Sequence, residues 1–196
     1  MQVQDAIDQI GFGRFQRRLL LACGITWAAD AFELLAIGFA LPGVREDFGL
    51  TSTWQTGGIA SAAFVGMLLG ATFWGRVADR IGRRLGFQLT VLIFAVFGAA
   101  SAFAPTAEWL AVLRFCAGFG LGGALPLDFS LMSEFLPRKN RGRYLVLLES
   151  FWAVGTVAVA GLAYLIVPDH GGRPLLAPSG IAAVLVFGIR TGVPES

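Results

Sequence analysis

The chain has 196 residues, 56% of them hydrophobic and only 14% charged. Soluble domains carry roughly 25% charged residues, so a water-soluble globule is excluded and a polytopic membrane protein is the class to test. Net charge is +2, which gives no general basic field for nucleic acid, and Cys23 and Cys116 both lie in apolar runs, where they read as small core residues outside any disulfide framework.

Residues 1–18 form a polar, amphipathic lead-in ending on Arg14, Arg17 and Arg18. The apolar run from Leu19 to about Leu41 is too long for the core of a cleaved signal, and no small-residue cleavage site follows it. At about 1.5 Å per residue it can cross a hydrocarbon core of about 30 Å. Pro42-Gly43 is expected to end it. Arg45-Glu46-Asp47 then makes a short polar loop, and Thr51-Ser52-Thr53 offers caps for the next helix.

The second span runs from about Trp54 to Phe73 and leads into Gly75-Arg76-Val77-Ala78-Asp79-Arg80-Ile81-Gly82-Arg83-Arg84. This stretch is expected to be a tight hinge, with Gly75 and Gly82 letting the chain turn. The third span covers about Leu85 to Ala104 and is broken by Ala104-Pro105-Thr106. The fourth runs from near Glu108 to about Met132, with a bend expected at Pro126. Pro137 to Arg143 is a second basic loop, and the fifth span covers about Tyr144 to Val167. Pro168 to Pro174 is turn-rich, and a sixth span from about Leu175 to Gly192 is interrupted by Pro178 and Gly180. The expected organisation is a cytoplasmic segment at 1–18, a six-helix transmembrane domain at 19–192 and the start of a cytoplasmic linker at 193–196.

Six spans put both termini on one side. That side holds 12 of the 15 basic residues, in the clusters Arg14/Arg17/Arg18, Arg76/Arg80/Arg83/Arg84 and Arg138/Lys139/Arg141/Arg143, with Arg190 added. The other side has Arg45 and Arg173, and Arg114 lies inside a span. The positive-inside rule then makes both termini cytoplasmic. An integral protein of a plasma or inner membrane is the expected location.

Four motifs carry a resemblance. Gly75 to Arg84 fits G-x-x-x-D-R-x-G-R-R between a second and a third span, which resembles the signature loop of the major facilitator superfamily. Arg114-Phe-Cys-Ala-Gly118-Phe-Gly120-Leu-Gly122-Gly123-Ala-Leu-Pro126 resembles its fourth-helix motif. Glu134-Phe-Leu-Pro137 with Arg141-Gly142-Arg143 resembles the loop after helix four in sugar-porter-like members, and Pro194-Glu195-Ser196 resembles the close of helix six. Trp27-Ala-Ala-Asp30-Ala-Phe-Glu33 and Leu125-Pro126-Leu127-Asp128 look like the metabolite:proton symporter branch, with its niacin and aromatic-acid carriers and synaptic-vesicle-glycoprotein relatives.

The resemblance implies an all-α membrane fold of six transmembrane helices as two three-helix inverted repeats, half of a twelve-helix carrier. A truncated chain, a fragment and a natural half-transporter are all open. The missing six-helix half, or a second copy of this half, is the expected partner, together with the lipid bilayer. Resemblance also implies a latch on the cytoplasmic side, closed in the outward-facing state, to which Gly75, Asp79, Arg80, Gly82, Arg83 and Arg84 contribute. Glu134, Arg141 and Arg143 are expected to join its salt bridges, with Glu149 beside them. The plainer reading of the arginines is topology and anionic headgroups.

Asp30 and Glu33 sit i, i+3 on one face of the first span. A charge at a helix centre costs roughly 2.5–3.5 kcal/mol on insertion scales, so such residues face a cavity or a partner. Carboxyls held out of water suit proton carriage near neutral pH; a structural hydrogen bond to a neighbouring helix is the alternative. Arg114 is the natural counter-charge, for Asp30, for Glu33 or for a substrate carboxylate that its guanidinium would hold bidentately, unless it snorkels to the interface. Asp128 lies fourteen residues further on, about 21 Å along the helix and nearer the cytoplasm, open to proton coupling, gating or a salt bridge.

Gly118 and Gly122 predict close helix approach. The five tryptophans default to interfacial anchoring, with Trp27 and Trp152 best placed to line a cavity and stack on an aromatic substrate. His170 has no second ligand nearby, and no zinc spacing, catalytic triad or phosphate loop is present, so no cofactor and no enzymatic activity are expected. The functional expectation is a secondary active transporter, or its amino-terminal half, moving a small organic acid or related metabolite with protons by alternating access. Its rival is a half-length scaffold or sensor that retains the fold.

Overall fold

The computed structural model describes residues 7–9 and 11–178, apart from the side chains of Arg83, Arg84, Leu127 and Leu131. Its architecture is all-helical over these residues: α1 (Arg14–Asp47), α2 (Thr53–Ile81), α3 (Arg83–Ser101), α4 (Ala107–Phe135) and α5 (Arg141–His170), then a 3-10 turn at Arg173–Leu176. Helices α1, α2, α4 and α5 are each long and apolar enough to cross a membrane, and α3 carries a shorter apolar stretch, Leu85–Ser101. The later part of the sixth span, the linker at 193–196 with Pro194-Glu195-Ser196, Arg190, and residues 1–6 and 10 of the lead-in lie outside the described residues.

Side-chain caps fix where α2 and α4 start. Ser52 accepts the Trp54 N–H at 3.3 Å, and Thr106 accepts the Trp109 N–H at 3.4 Å, each satisfying a backbone donor that the first turn leaves free. Several expected boundaries move outward. Helix α1 runs through Pro42 to Asp47, and α5 runs through Pro168 to His170, so neither proline ends its helix. Proline removes one intrahelical bond, and a long membrane helix tolerates the loss where other groups satisfy the freed carbonyl. Arg141, Gly142 and Arg143 are the first turn of α5, which leaves Leu136 to Asn140 as the loop.

The expected hinge contracts to one residue. Gly75 lies within α2, and only Gly82 leaves helical geometry, at φ +91° and ψ 144°, where a side chain is rarely accommodated. Gly82 is thus the whole connection between α2 and α3.

The main contacts are α2 on α4, α1 on α5 and α3 on α4. The α2–α4 seam is glycine against backbone on both sides. A Cβ on Gly66 or Gly70 would strike the carbonyls of Phe115 or Phe119, and one on Gly118 or Gly122 would strike those of Ala63 or Met67. The predicted close approach of Gly118 and Gly122 is therefore present and reciprocated by a second G-x-x-x-G. On α5, Gly155 lies against the Ala28 carbonyl of α1 in the same way.

The amphipathic lead-in docks on the α4–α5 corner. Asp8 accepts the Arg138 backbone N–H at 2.7 Å, Phe12 stacks on Tyr144 at 3.9 Å between ring centroids, and Phe15 meets Phe135 edge-on at 5.4 Å. At the opposite end, Arg173 ties helix ends together, donating to the Ala104 carbonyl and standing over the Phe48 ring.

Candidate functional site

Four ionisable side chains of the membrane-spanning helices are withdrawn from the surface: Asp30 and Glu33 on α1, and Arg114 and Asp128 on α4, none more than 1% exposed. Their burial matches the expectation that charge inside an apolar span turns toward protein.

Arg114 pairs with Glu33. Its Nη1 donates to Glu33 Oε1 at 2.6 Å, and its Nη2 donates to the Glu33 backbone carbonyl at 2.8 Å. The guanidinium fork therefore grips one oxygen of the carboxylate and the main chain of the same residue, not both carboxylate oxygens. Glu33 Oε2 and Arg114 Nε have no hydrogen-bond partner among the described residues. Breaking such a buried pair by removing one partner typically costs about 3–5 kcal/mol. Snorkelling of Arg114 is ruled out by its 1% exposure.

Gly98 of α3 makes room for this pair. A Cβ there would lie 2.6 Å from Glu33 Oε2, so the carboxylate rests against bare backbone. Sequence reasoning missed Gly98, since a lone glycine in an apolar helix carries no local signal.

Asp30 lies on α1 one turn closer to the lead-in than Glu33, fully buried. Asp128 lies one turn before Met132 on α4, also fully buried. Trp27, one turn before Asp30, meets Trp152 of α5 edge-on, with ring centroids 5.9 Å apart and planes at 65°. The two tryptophans singled out for a cavity are thus in contact. The Trp27 indole N–H is buried without a partner among the described residues, and Trp152 is half-buried. Trp54 and Trp109 are exposed at helix starts, but Trp74 is 5% exposed, packed against Phe119 rather than anchored at an interface.

The latch residues are spread out. Asp79 and Arg80 are exposed at the end of α2, and neither forms an ion pair among the described residues. Arg83 and Arg84 open α3, with side chains outside the described residues. Arg141 donates to the Leu136 carbonyl at 2.9 Å and so closes the α4–α5 loop on itself. Glu134 is half-buried near the end of α4, and Arg143 is exposed. Glu149 departs from expectation: it lies two turns into α5, away from the loop, and is exposed. No group of three or more His, Cys, Asp or Glu side chains is placed to hold a metal among the described residues.

Comparison with known proteins adds relatives. The chain is 40% identical over 194 residues to the Synaptic vesicle 2-related protein of Bos taurus, covering 99% of this chain and 35% of that protein. It is 40% identical over 196 residues to the Niacin transporter NiaP of Acinetobacter baylyi, covering all of this chain and 44% of that one. It therefore spans less than half the length of these relatives. A solved structure of the E. coli proton:xylose symporter XylE superposes with a TM-score of 0.85 at 20% identity, over 93% of this chain and 45% of that one, and shares its fold. The model of the Major Facilitator Superfamily matches residues 14–194, so the chain belongs to that superfamily, with the all-helical fold of half a carrier.

Proposed function

We propose that the chain is the amino-terminal half of a secondary active transporter that moves a small organic acid, with a flat aromatic acid such as nicotinate as first candidate, together with protons. The observation that carries this reading is the buried Glu33–Arg114 pair with Asp30 one turn away. A scaffold gains nothing from holding such charge in an apolar bundle. Nicotinate is suggested by the relative from Acinetobacter baylyi.

The chemistry follows from the pair. When Glu33 takes up a proton its hold on the Arg114 Nη1 weakens, while the backbone carbonyl keeps Nη2 in place. The released N–H groups then suit the carboxylate of an incoming acid. Asp30, one turn further in, is the second proton site. Both termini face the cytoplasm, so Asp79, Arg80 and the α4–α5 loop work on that side against a second six-helix half, from the same polypeptide or another copy.

The test is uptake of labelled nicotinate by vesicles containing the complete protein under an inward proton gradient. Gradient-driven uptake is expected, and Asp30→Asn should abolish it while the protein still folds. Absence of uptake, or undiminished gradient-driven uptake in both Asp30→Asn and Glu33→Gln, would overturn the reading.

A further inference from the structure

The glycines divide the helices of this half into two groups. Where an added Cβ would strike main chain, two segments touch backbone to backbone. The α2–α4 seam is of this kind from both sides, and Gly120 of α4 stands as close to the Thr90 carbonyl of α3. Helices α2, α3 and α4 are thus one unit. Gly155 of α5 meets the Ala28 carbonyl of α1, Gly43 of α1 meets the Gly172 main chain, and Gly172 in turn meets the Ala40 carbonyl. Helix α1, α5 and the turn after it are a second unit. No backbone approach of this kind joins the two units among the described residues. Helix α1 also touches α2 and α4 far less than it touches α5. The chain passes between the units only in the connections 48–52 and 136–140. This division cuts across the three-helix repeats, since each repeat gives helices to both units.

One glycine among the described residues does reach across, and it meets a side chain. A Cβ on Gly98 of α3 would lie 2.6–2.8 Å from the three carboxylate atoms of Glu33 on α1, so that group lies over bare backbone. The same carboxylate accepts Arg114 Nη1 of α4 at 2.6 Å. The other crossings are also made by side chains. Phe15 of α1 meets Phe135 of α4 edge-on near the lead-in, and Arg173 donates to the Ala104 carbonyl at the opposite end. A slide along a backbone seam drives carbonyls into one another, whereas a side-chain seam takes up shifts of about 1–2 Å.

We infer that this half is jointed internally: α1 and α5 shift as one unit against α2, α3 and α4, with the Glu33–Arg114 pair as the pin of the joint and Gly98 as the surface over which the carboxylate slides. A charged Glu33 holds Arg114 by carboxylate and backbone carbonyl together, and the joint is tight. A neutral Glu33 keeps the weaker hold, and the joint is loose. The use of this joint in transport rests on the transport reading above; the joint itself rests on the glycine contacts.

The experiment measures distances between paired spin labels in the complete protein, with its native cysteines replaced. Arg17, Leu85, Trp109 and Asp169 are exposed near helix ends, on α1, α3, α4 and α5. Arg17→Cys/Asp169→Cys and Leu85→Cys/Trp109→Cys each lie within one unit. Arg17→Cys/Trp109→Cys and Leu85→Cys/Asp169→Cys cross the joint. Gly98→Ala displaces the Glu33 carboxylate and should shift both crossing distances by about 1–2 Å, with the two within-unit distances unchanged. Glu33→Gln should broaden the same two crossing distributions, and Gly75→Ala, in open space, should alter none of the four. Within-unit changes as large as the crossing ones, or unmoved crossing distances in both Gly98→Ala and Glu33→Gln, overturn the inference. The labelled protein with Glu33 and Gly98 intact supplies a readout that needs neither variant to fold. Its crossing distributions should be broader than its within-unit ones, and equal widths overturn the joint. Crossing distances that move in a protein that takes up no nicotinate would uphold the joint and overturn the transported acid.

Discussion

Arg114 holds α1 through two atoms of one residue, the Glu33 carboxylate at 2.6 Å and the Glu33 backbone carbonyl at 2.8 Å. A pair of this kind is asymmetric under mutation. Arg114→Met should cost about 3–5 kcal/mol because it strands a buried carboxylate, whereas Glu33→Gln keeps both acceptors and should cost less. The double variant Glu33→Gln/Arg114→Met should be more stable than Arg114→Met alone. Thermal unfolding in detergent checks this, and strict additivity of the two losses would mean that the pair is not coupled.

The glycines of the signature stretch should respond in opposite directions. Gly75 lies in the body of α2 with nothing within 4 Å of an added Cβ, so Gly75→Ala should stabilise by about 0.5–1 kcal/mol. Gly82 has φ +91°, so Gly82→Ala should destabilise by about 1–3 kcal/mol. Melting temperatures of the two variants decide it; a stabilising Gly82→Ala would contradict the one-residue hinge.

The α2–α4 seam should tolerate no added carbon. Gly66→Ala and Gly118→Ala each drive a methyl into a facing carbonyl and should cost about 1–3 kcal/mol or more. Gly58→Ala, on the same helix as Gly66 but in open space, is the control and should be neutral or stabilising. Monodispersity on size exclusion after stepwise heating separates the three.

The docked lead-in should protect the basic loop. Asp8→Asn weakens the bond to the Arg138 N–H, and Phe12→Ala removes the stack on Tyr144. Together these contacts are worth about 1–3 kcal/mol. Trypsin should therefore cut at Arg138 or Lys139 several-fold faster in the double variant, while the melting temperature moves little. Equal cleavage rates would show that the lead-in does not shield the loop.

The order of the first five spans, the cap at Ser52, the close approach at Gly118 and Gly122, and the withdrawal of Asp30 and Glu33 from lipid were legible in the sequence. Each rests on a local signal: an apolar run, a capping side chain, a G-x-x-x-G, a charge where lipid forbids one. Helix ends were less legible, because Pro42 and Pro168 read as stops although a membrane helix can pass through proline. The choice of Glu33 over Asp30 for the Arg114 bonds depends on how three helices meet at Gly98, and no spacing within α1 encodes that. The Asp8–Arg138 contact joins residues 130 positions apart and leaves no trace in either local sequence.

Packed helices usually shear past one another by small side-chain adjustments, and where its four glycines meet, the seam between α2 and α4 has no side chain to adjust. Gly66, Gly70, Gly118 and Gly122 set main chain on main chain along two turns, so these helices travel as a single girder. Under the proposed alternating access, rocking of this half would be borne at the girder's ends, at Gly82 and in the Phe48 to Ser52 connection. The Arg114 end of the ion pair sits on this girder and the Glu33 end on α1, so the pair is the ionic tie between the two.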